Sequence, residues 1–303
     1  MSFSGEVKQE LCRVQTEKSC CKKAELAGIA AFCGAVRGKD FILRTENELV
    51  AQRAKRLFGE LFGIEPLEET AQRGRKGWLY TLTVAEEMGL QTVLSALGLY
   101  RNHMVKFAVD PFLAQDDCCA RAYLRGAFLG GGSVNSPRRS YHFEIETHYF
   151  GLSRDLAGLF ADLDFEVKTV MRKGGYVTYV KDSEKIGDIL ALMGATSSMM
   201  ELYNVKIEKE VNNSVNRRVN CDTANLTKTV NASVLQIQSI RRLAAKRGKD
   251  AIPEHLRELA DLRLSYPEAS LAELGEMLNP PISKSGVNHR LKKLMELAEA
   301  LKD

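Results

Sequence analysis

The sequence has no apolar run long enough to cross a bilayer, and its first residues, MSFSGEVKQEL, have neither the basic flank nor the apolar core of a secretory signal. We therefore expect a cytoplasmic protein without a membrane partner. The sequence also has no CxxC motif and no Cys/His spacing typical of zinc sites. Four of its seven cysteines form adjacent pairs, Cys20-Cys21 and Cys118-Cys119. We interpret all seven as reduced thiols, with a redox or metal role as the minor alternative, and predict no metal, cofactor or small-molecule substrate.

The first two-thirds of the chain have no net positive charge. The net charge of the 303 residues is +4, and residues 204–303 alone have 17 basic and 13 acidic side chains. The remaining 26 basic and 26 acidic residues balance. A polyanionic partner is therefore expected to contact the C-terminal third. The length allows two domains, or three small ones.

A repeat occupies the first two-thirds. The stretch CCKKAELAGIAAFCG (20–34) shares six identities in 15 positions with CCARAYLRGAFLGGG (118–132), at a constant offset of 98. Each copy is followed by a strand pattern, a helix, two more strands and a helix. Gly28 and Gly126 predict that the two repeated helices approach at backbone distance. We predict an α+β fold with half-repeats at 1–112 and 113–203.

The motifs LAGIAAFCG and LRGAFLGGG resemble the two LAGLIDADG helices of monomeric homing endonucleases, which have a repeated αββαββα order. The resemblance implies a carboxylate at the eighth position of each motif, where it binds the divalent metals that cleave DNA. Cys33 and Gly131 stand at these positions. Neither supplies a hard oxygen ligand for Mg²⁺, so we predict a degenerate nuclease scaffold that is not an enzyme.

The segment HFEIETH could in principle supply other ligands. His142, Glu144, Glu146 and His148 alternate on one face of a predicted strand. Residues two apart on a strand are nearly 7 Å apart, which is too far for all four to bind one ion. A solvated polar sheet face is the favoured interpretation, and an acidic face would repel phosphates.

Residues 204–229 are rich in asparagine and form a predicted connector, helical because Val211, Val215 and Val219 repeat every four residues. Its cations belong to an exposed linker surface or, alternatively, contact a phosphate or a protein. Farther on, a basic cluster ends the next predicted helix. Such cations are expected at any helix C-terminus and are weak support for nucleic-acid binding. The connector residues concerned are Asn216, Arg217 and Arg218, and the basic cluster comprises Arg241, Arg242, Lys246, Arg247 and Lys249.

Residues 230–303 form the third predicted domain, which contains a helix-turn-helix that begins at Ser270 and ends at Leu301. A capping box opens the first helix, and Asn279-Pro280-Pro281 must end it. The predicted stripe of this helix is Leu271, Leu274, Met277 and Leu278. The second helix has an inner face of Val287, Leu291, Leu294 and Ala298.

Small polar and basic residues dominate the outer face of that second helix. These residue types suit contacts with base edges and phosphates, so we predict that this helix reads double-stranded DNA. An ordinary solvated helix face is the alternative. The predicted DNA-binding residues are Ser283, Lys284, Ser285, Asn288, His289, Arg290, Lys292 and Lys293.

The stretches LRGAFLGGGSVNSP, VNRRVNCDTANLTKT and SKSGVNHRLKKL together resemble the bacterial WhiA family over the full length. The resemblance implies a nucleoid-associated DNA-binding protein connected with cell division and chromosome segregation. For sporulating relatives it implies a transcriptional regulator that acts with an RNA polymerase sigma factor. The alternative is a protein-binding adaptor to the transcription or division machinery with auxiliary DNA binding.

Overall fold

The structure is a computed structural model and describes residues 2–73, 77–247 and 252–300. Its contacts divide the chain into two compact units, Met1–Lys209 and Glu210–Asp303. Each unit has its own apolar core. The predicted connector, 204–229, falls on both sides of this division, and the four-part division made from the sequence stays a prediction.

The first unit contains two repeats of one element order, preceded by a helix, α1 (Phe3–Arg13). The first repeat consists of α2 (Ser19–Cys33), β1 (Gly34–Arg37), β2 (Asp40–Thr45), α3 (Glu48–Phe62), β3 (Leu67–Arg73), β4 (Gly77–Val84) and α4 (Leu90–Ala96). A hairpin of β5 (Tyr100–Arg101) and β6 (Met104–Val105) follows. The second repeat consists of α5 (Asp117–Gly131), β7 (Gly132–Val134), β8 (Phe143–Thr147), α6 (Phe150–Asp162), β9 (Lys168–Arg172), β10 (Gly175–Val180) and α7 (Ser183–Met193).

Each repeat builds one antiparallel four-stranded sheet. The strand orders, β1-β2-β4-β3 and β7-β8-β10-β9, are equivalent position by position. This confirms the predicted α+β fold with two αββαββα repeats. The sequence patterns missed α1, the β5–β6 hairpin and the short first strands β1 and β7.

Helix boundaries in the repeats follow local chemistry. The Asn47 side chain accepts hydrogen bonds from the first backbone amides of α3, and Gly63, with φ of 66°, ends that helix. Asp182 and Gly194, with φ of 102°, do the same for α7. A residue with a Cβ rarely adopts this left-handed backbone conformation, which explains why glycine occupies both positions.

The two repeated helices, α2 and α5, pack in direct backbone contact. A Cβ on Gly28 would lie 2.4 Å from the carbonyl oxygen of Tyr123, and one on Gly126 would lie 2.0 Å from that of Glu25. Both distances are far shorter than any van der Waals contact. The predicted close approach at these two glycines is therefore confirmed.

A buried ion cluster joins the repeats beside this helix pair. The carboxylate of Glu25, which has no exposed surface, accepts hydrogen bonds from Arg53 at 2.7 and 3.0 Å and from Arg125 at 3.0 and 2.8 Å. Arg125 also donates to the carbonyl oxygen of Met193 at 3.1 Å, and both guanidinium groups contact Thr16. Buried charges are stable when they are paired and hydrogen-bonded, as these are.

The long helix α8 (Thr196–Arg247) contributes to both units and spans the whole predicted connector. Its valines at 211, 215 and 219 lie on the surface, with 56%, 53% and 54% of their area exposed. The prediction that this segment is helical is correct, because α8 spans all of it. No described side chain covers the three valines. None of the described helices combines the length and the apolar character that crossing a membrane requires.

The second unit packs the end of α8 with α9 (Glu254–Ser265), α10 (Leu271–Met277) and α11 (Lys284–Glu299). The predicted inner face of α11, Val287, Leu291, Leu294 and Ala298, is fully buried. In the predicted stripe of α10, Leu274 and Leu278 are buried, but Met277 is 44% exposed. The prediction for Met277 is wrong because its side chain lies on the exposed side of the last turn, whose other side buries Leu274 and Gly275.

Candidate nucleic-acid interface and degenerate nuclease centre

The short helix α10 and the turn after it fix where α11 begins. Ser270 and Glu273 form the predicted capping box at the start of α10. The turn is closed by a hydrogen bond of 3.0 Å from the amide of Ile282 to the carbonyl oxygen of Gly275. A Cβ on Gly275 would lie 2.3 Å from the carbonyl oxygen of Ile282. Only glycine therefore allows this tight turn between the helices.

A second serine cap opens α11. The side chain of Ser283 accepts a hydrogen bond of 3.3 Å from the amide of Gly286 and lies 2.9 Å from the hydroxyl of Ser285. The buried inner face then fixes the rotation of the helix. As a result, the first turns of α11 present polar side chains to solvent at the positively polarised end of the helix, which is an arrangement that attracts phosphate.

The predicted DNA-binding residues lie together along the outer face of α11 and at its cap. Arg290 is half-buried, at the side of this face. The other members are exposed: Ser283, Lys284, Ser285, Asn288, His289, Lys292 and Lys293. Between Glu276 and Glu296 the sequence has no acidic residue and has four basic ones. The outer face of α11 is thus a polar, cationic surface on a rigid helix.

The other basic residues considered as phosphate contacts lie outside α11. Arg217 and Arg218 are exposed on α8, as are Arg241 and Arg242. The side chains of three further cations and the predicted end of the motif lie outside the described residues; these are Lys246, Arg247, Lys249 and Leu301.

The degenerate nuclease centre lies where α2 and α5 end. Cys33 is the last residue of α2, and its thiol donates a hydrogen bond of 3.2 Å to the carbonyl oxygen of Ile29. Burial raises the pKa of the Cys33 thiol to about 12. At neutral pH this position therefore contributes a neutral thiol, where the resemblance implies a carboxylate.

Gly131 is the last residue of α5 and has no space for any side chain. A Cβ built there would lie 2.5 Å from the carbonyl oxygen of Glu146 and 3.4 Å from the side chain of Phe32. The neighbouring strand β8 occupies the volume that a metal-binding carboxylate would need. An acidic side chain at this position would therefore require different packing between α5 and β8.

Lys8, on the N-terminal helix α1, is the residue that the sequence patterns missed. Its ammonium donates a hydrogen bond of 3.1 Å to the carbonyl oxygen of Leu129, near the C-terminal end of α5, and lies 5.8 Å from the centre of the Phe128 ring. Burial lowers the pKa of Lys8. Lys8 also lines a cleft of about 770 Å³ with the segment that contains Gly131. This side chain thus brings a cation to the end of the degenerate helix pair.

The strand β8 has the polar face that the sequence predicted. His142 lies 2.8 Å from one carboxylate oxygen of Glu144, and the Ser133 hydroxyl donates to the other at 3.1 Å. Glu146 is exposed. Within the described part of the chain, the ligand atoms that converge on one point belong to three cysteines and to no residue of this strand.

Comparisons with known protein families match nearly the whole chain. Residues 19–100 match the WhiA N-terminal LAGLIDADG-like domain. Residues 120–212 match the WhiA LAGLIDADG-like domain, and residues 215–298 match the WhiA C-terminal HTH domain.

Similar proteins extend over the full length. The chain is 43% identical over 310 residues to a probable cell division protein WhiA of Alkaliphilus metalliredigens, covering 99% of this chain and 98% of the relative. It is 42% identical over 315 residues to the protein of the same name in Thermoanaerobacter pseudethanolicus, covering 100% and 99%. The crystal structure of full-length DUF199/WhiA from Thermatoga maritima matches with a TM-score of 0.61, 25% identity and complete coverage of both chains.

Proposed function

The chain belongs to the WhiA family, and we propose that it is a sequence-specific DNA-binding regulator connected with cell division and chromosome segregation. The relatives are named probable cell division proteins. We propose a cytoplasmic, nucleoid-associated protein whose helix-turn-helix reads DNA.

The outer face of α11 carries this proposal. It combines a capped, solvent-facing helix N-terminus with Asn288 and His289 on the first exposed turns and four cations in the stretch between Glu276 and Glu296. The N-terminal half of a recognition helix enters the major groove, where an asparagine side chain pairs with adenine through two hydrogen bonds. Lys293, farther along the helix, is suited to a phosphate of the DNA backbone.

We also propose that the LAGLIDADG-like unit is catalytically inactive. Three features of the centre support this. The thiol of Cys33 is half-buried and neutral, Gly131 has no space for a carboxylate, and the ammonium of Lys8 would repel divalent cations.

The first test separates the contributions of the two units. Each unit has its own core, so fragments 1–209 and 210–303 can be compared for binding to duplex DNA at several salt concentrations. If three or four cations of α11 contact phosphates, a plot of the logarithm of the DNA affinity of 210–303 against the logarithm of the salt concentration should have a slope of about −2.7 to −3.6. Tighter binding by 1–209 would refute the assignment of DNA binding to α11.

The second test distinguishes base reading from phosphate binding in the full-length protein. Asn288→Ala should cost about 1–3 kcal/mol at one base position and relax base preference there. Lys293→Ala should weaken binding to all sequences alike and reduce the salt slope by about one. Lys39→Ala, which changes an exposed lysine of the first unit, is the control and should change neither quantity. Unchanged affinity and base preference in Asn288→Ala would show that α11 is not the reading helix.

One observation favours the adaptor alternative, in which a protein partner matters more than DNA. The helix α8 presents an exposed apolar stripe that includes Ile207, Val211, Val215 and Leu226, each more than half exposed. Capture of purified RNA polymerase holoenzyme by the wild-type protein, lost in Val211→Ser/Val215→Ser while DNA binding persists, would support the adaptor. Retained capture by this variant, or no capture by the wild type, would remove the stripe as support for it.

A further inference from the structure

Two cysteine pairs meet at the N-terminal ends of the repeated helices, away from the degenerate centre. Cys20 and Cys21 are the second and third residues of α2, and Cys118 and Cys119 have the same positions in α5. The helices contact each other at glycines that lie seven residues, or two helical turns, beyond Cys21 and Cys119. The packing of the repeats therefore brings the first turns of both helices side by side.

Three of the sulfur atoms form a compact group. The sulfur of Cys21 is 3.9 Å from that of Cys119 and 4.0 Å from that of Cys20. All three sulfurs lie within 4.8 Å of one another. Cys21 and Cys119 are 7% and 4% exposed, whereas Cys20 is exposed, so the group is open to solvent on one side.

These distances match the spacing of thiolates around one metal ion. Zinc binds thiolate sulfur at about 2.3 Å, and two sulfurs of a tetrahedral site are then roughly 3.8 Å apart. Burial raises the pKa of the Cys21 thiol to about 11 and also raises that of Cys119, so a metal ion must displace protons from these sulfurs in order to bind. Thiolates select thiophilic ions such as Zn²⁺ over Mg²⁺.

We propose that Cys20, Cys21 and Cys119 form a binding site for a thiophilic metal ion, Zn²⁺ being the test ion, that joins the two half-repeats. The fourth position of a tetrahedral site falls to a water molecule on the exposed side, beside Cys20. On binding, each thiol releases its proton to solvent and its sulfur forms one bond to the metal. The site would stabilise the first unit and is independent of the proposed DNA-binding function.

The spacing along the chain does not predict this site. Adjacent cysteines separated by 98 residues match no zinc motif, and the group forms only because α2 and α5 pack in register. Each half-repeat alone supplies at most one pair of thiols. The metal would therefore link segments that are far apart in sequence, which is where a structural ion constrains the chain most.

The test uses the full-length protein, purified with a non-thiol reductant and freed of metal. Added Co²⁺ should produce a sulfur-to-metal charge-transfer band that saturates at one ion per chain and disappears when Zn²⁺ is added. Zn²⁺ at 100 times its Kd should raise the Tm of the first unit by about 5–10 °C. The absence of the band would overturn the proposal.

The variants identify the ligands. Cys20→Ser changes an exposed residue and should leave the metal-free fold intact while weakening Zn²⁺ binding by at least about tenfold. Cys119→Ser should also lose the band, and its folding can be checked by its metal-free Tm. Cys221→Ser, which changes an exposed cysteine of the second unit, is the matched control and should bind as the wild type does. Full binding by Cys20→Ser and Cys119→Ser would refute the site. A reduced protein that binds no metal but forms a Cys21–Cys119 disulfide in air would assign the group to thiol redox chemistry and equally overturn the proposal.

Discussion

Replacing Gly126 with alanine should destabilise the first unit, although alanine normally favours helices. The new Cβ would lie 2.0 Å from the carbonyl oxygen of Glu25 and 3.0 Å from the amide nitrogen of Ile29, both backbone atoms that no rotamer change can move. Relief requires α2 and α5 to separate locally by about 1 Å, and a gap of this size removes a quarter to a half of each dispersion contact. We expect a cost of about 3 kcal/mol, partly offset by about 1 kcal/mol of helix propensity.

The matched control is Gly158→Ala in α6. Gly158 is exposed, and a Cβ there would meet nothing within 4 Å. The same chemical change should therefore stabilise the protein by about 1 kcal/mol. The expected changes in stability have opposite signs, which separates the effect of helix packing from the effect of replacing glycine with alanine.

The assay follows the fluorescence of Trp78 during urea or thermal unfolding. Trp78 is the only tryptophan of the sequence and lies in β4, so it reports on the first unit. We expect the Tm to fall by about 4–8 °C for Gly126→Ala and to rise by about 2–4 °C for Gly158→Ala. A Gly126→Ala protein as stable as the wild type would refute the backbone contact between the repeated helices.

Three further predictions concern the degenerate centre, the turn and acid stability. The variant Cys33→Asp/Gly131→Asp should not nick supercoiled plasmid with Mg²⁺, because a backbone carbonyl occupies the space for the second carboxylate. Gly275→Ala should weaken DNA binding by at least about tenfold in an anisotropy titration, since its Cβ would force the turn before α11 open. Glu10→Gln should reduce stability at neutral pH. Burial alone would raise the pKa of Glu10, but hydrogen bonds from Ser198 and its neighbour outweigh this effect, so the pKa of Glu10 is lowered. A lowered folded-state pKa stabilises above the unfolded-state pKa, so the difference from wild type should shrink as pH falls through the folded value.

Each of these three predictions has an outcome that would contradict it. Metal-dependent nicking by the double variant would mean that β8 can move aside and that only the acids were missing. Wild-type DNA affinity in Gly275→Ala would mean that the turn does not position the reading helix. A stability difference for Glu10→Gln that is the same at every pH would mean that the charge of Glu10 plays no part.

Features that depend on local chemistry and on periodicity could be predicted from the amino-acid sequence. The offset of 98 identified the repeat, the two glycines predicted the close helix pair, and the capping box with the proline stop predicted the helix-turn-helix. These signals are readable because caps, turns and buried faces depend on residues within one or two turns of each other.

Contacts between residues that are distant in sequence could not be predicted, because they depend on how the elements pack. The ion cluster joins Glu25 to Arg53 and Arg125, which are 28 and 100 residues away, and no pattern along the chain pairs them. In the same way, packing brought Lys8 to the end of α5 and three cysteines of two different helices to one point. The local sequence shows which face of a helix or strand is apolar. Which side chains share a buried site depends on how the elements pack. The reason is that charge pairing and metal coordination act between atoms a few ångströms apart in space.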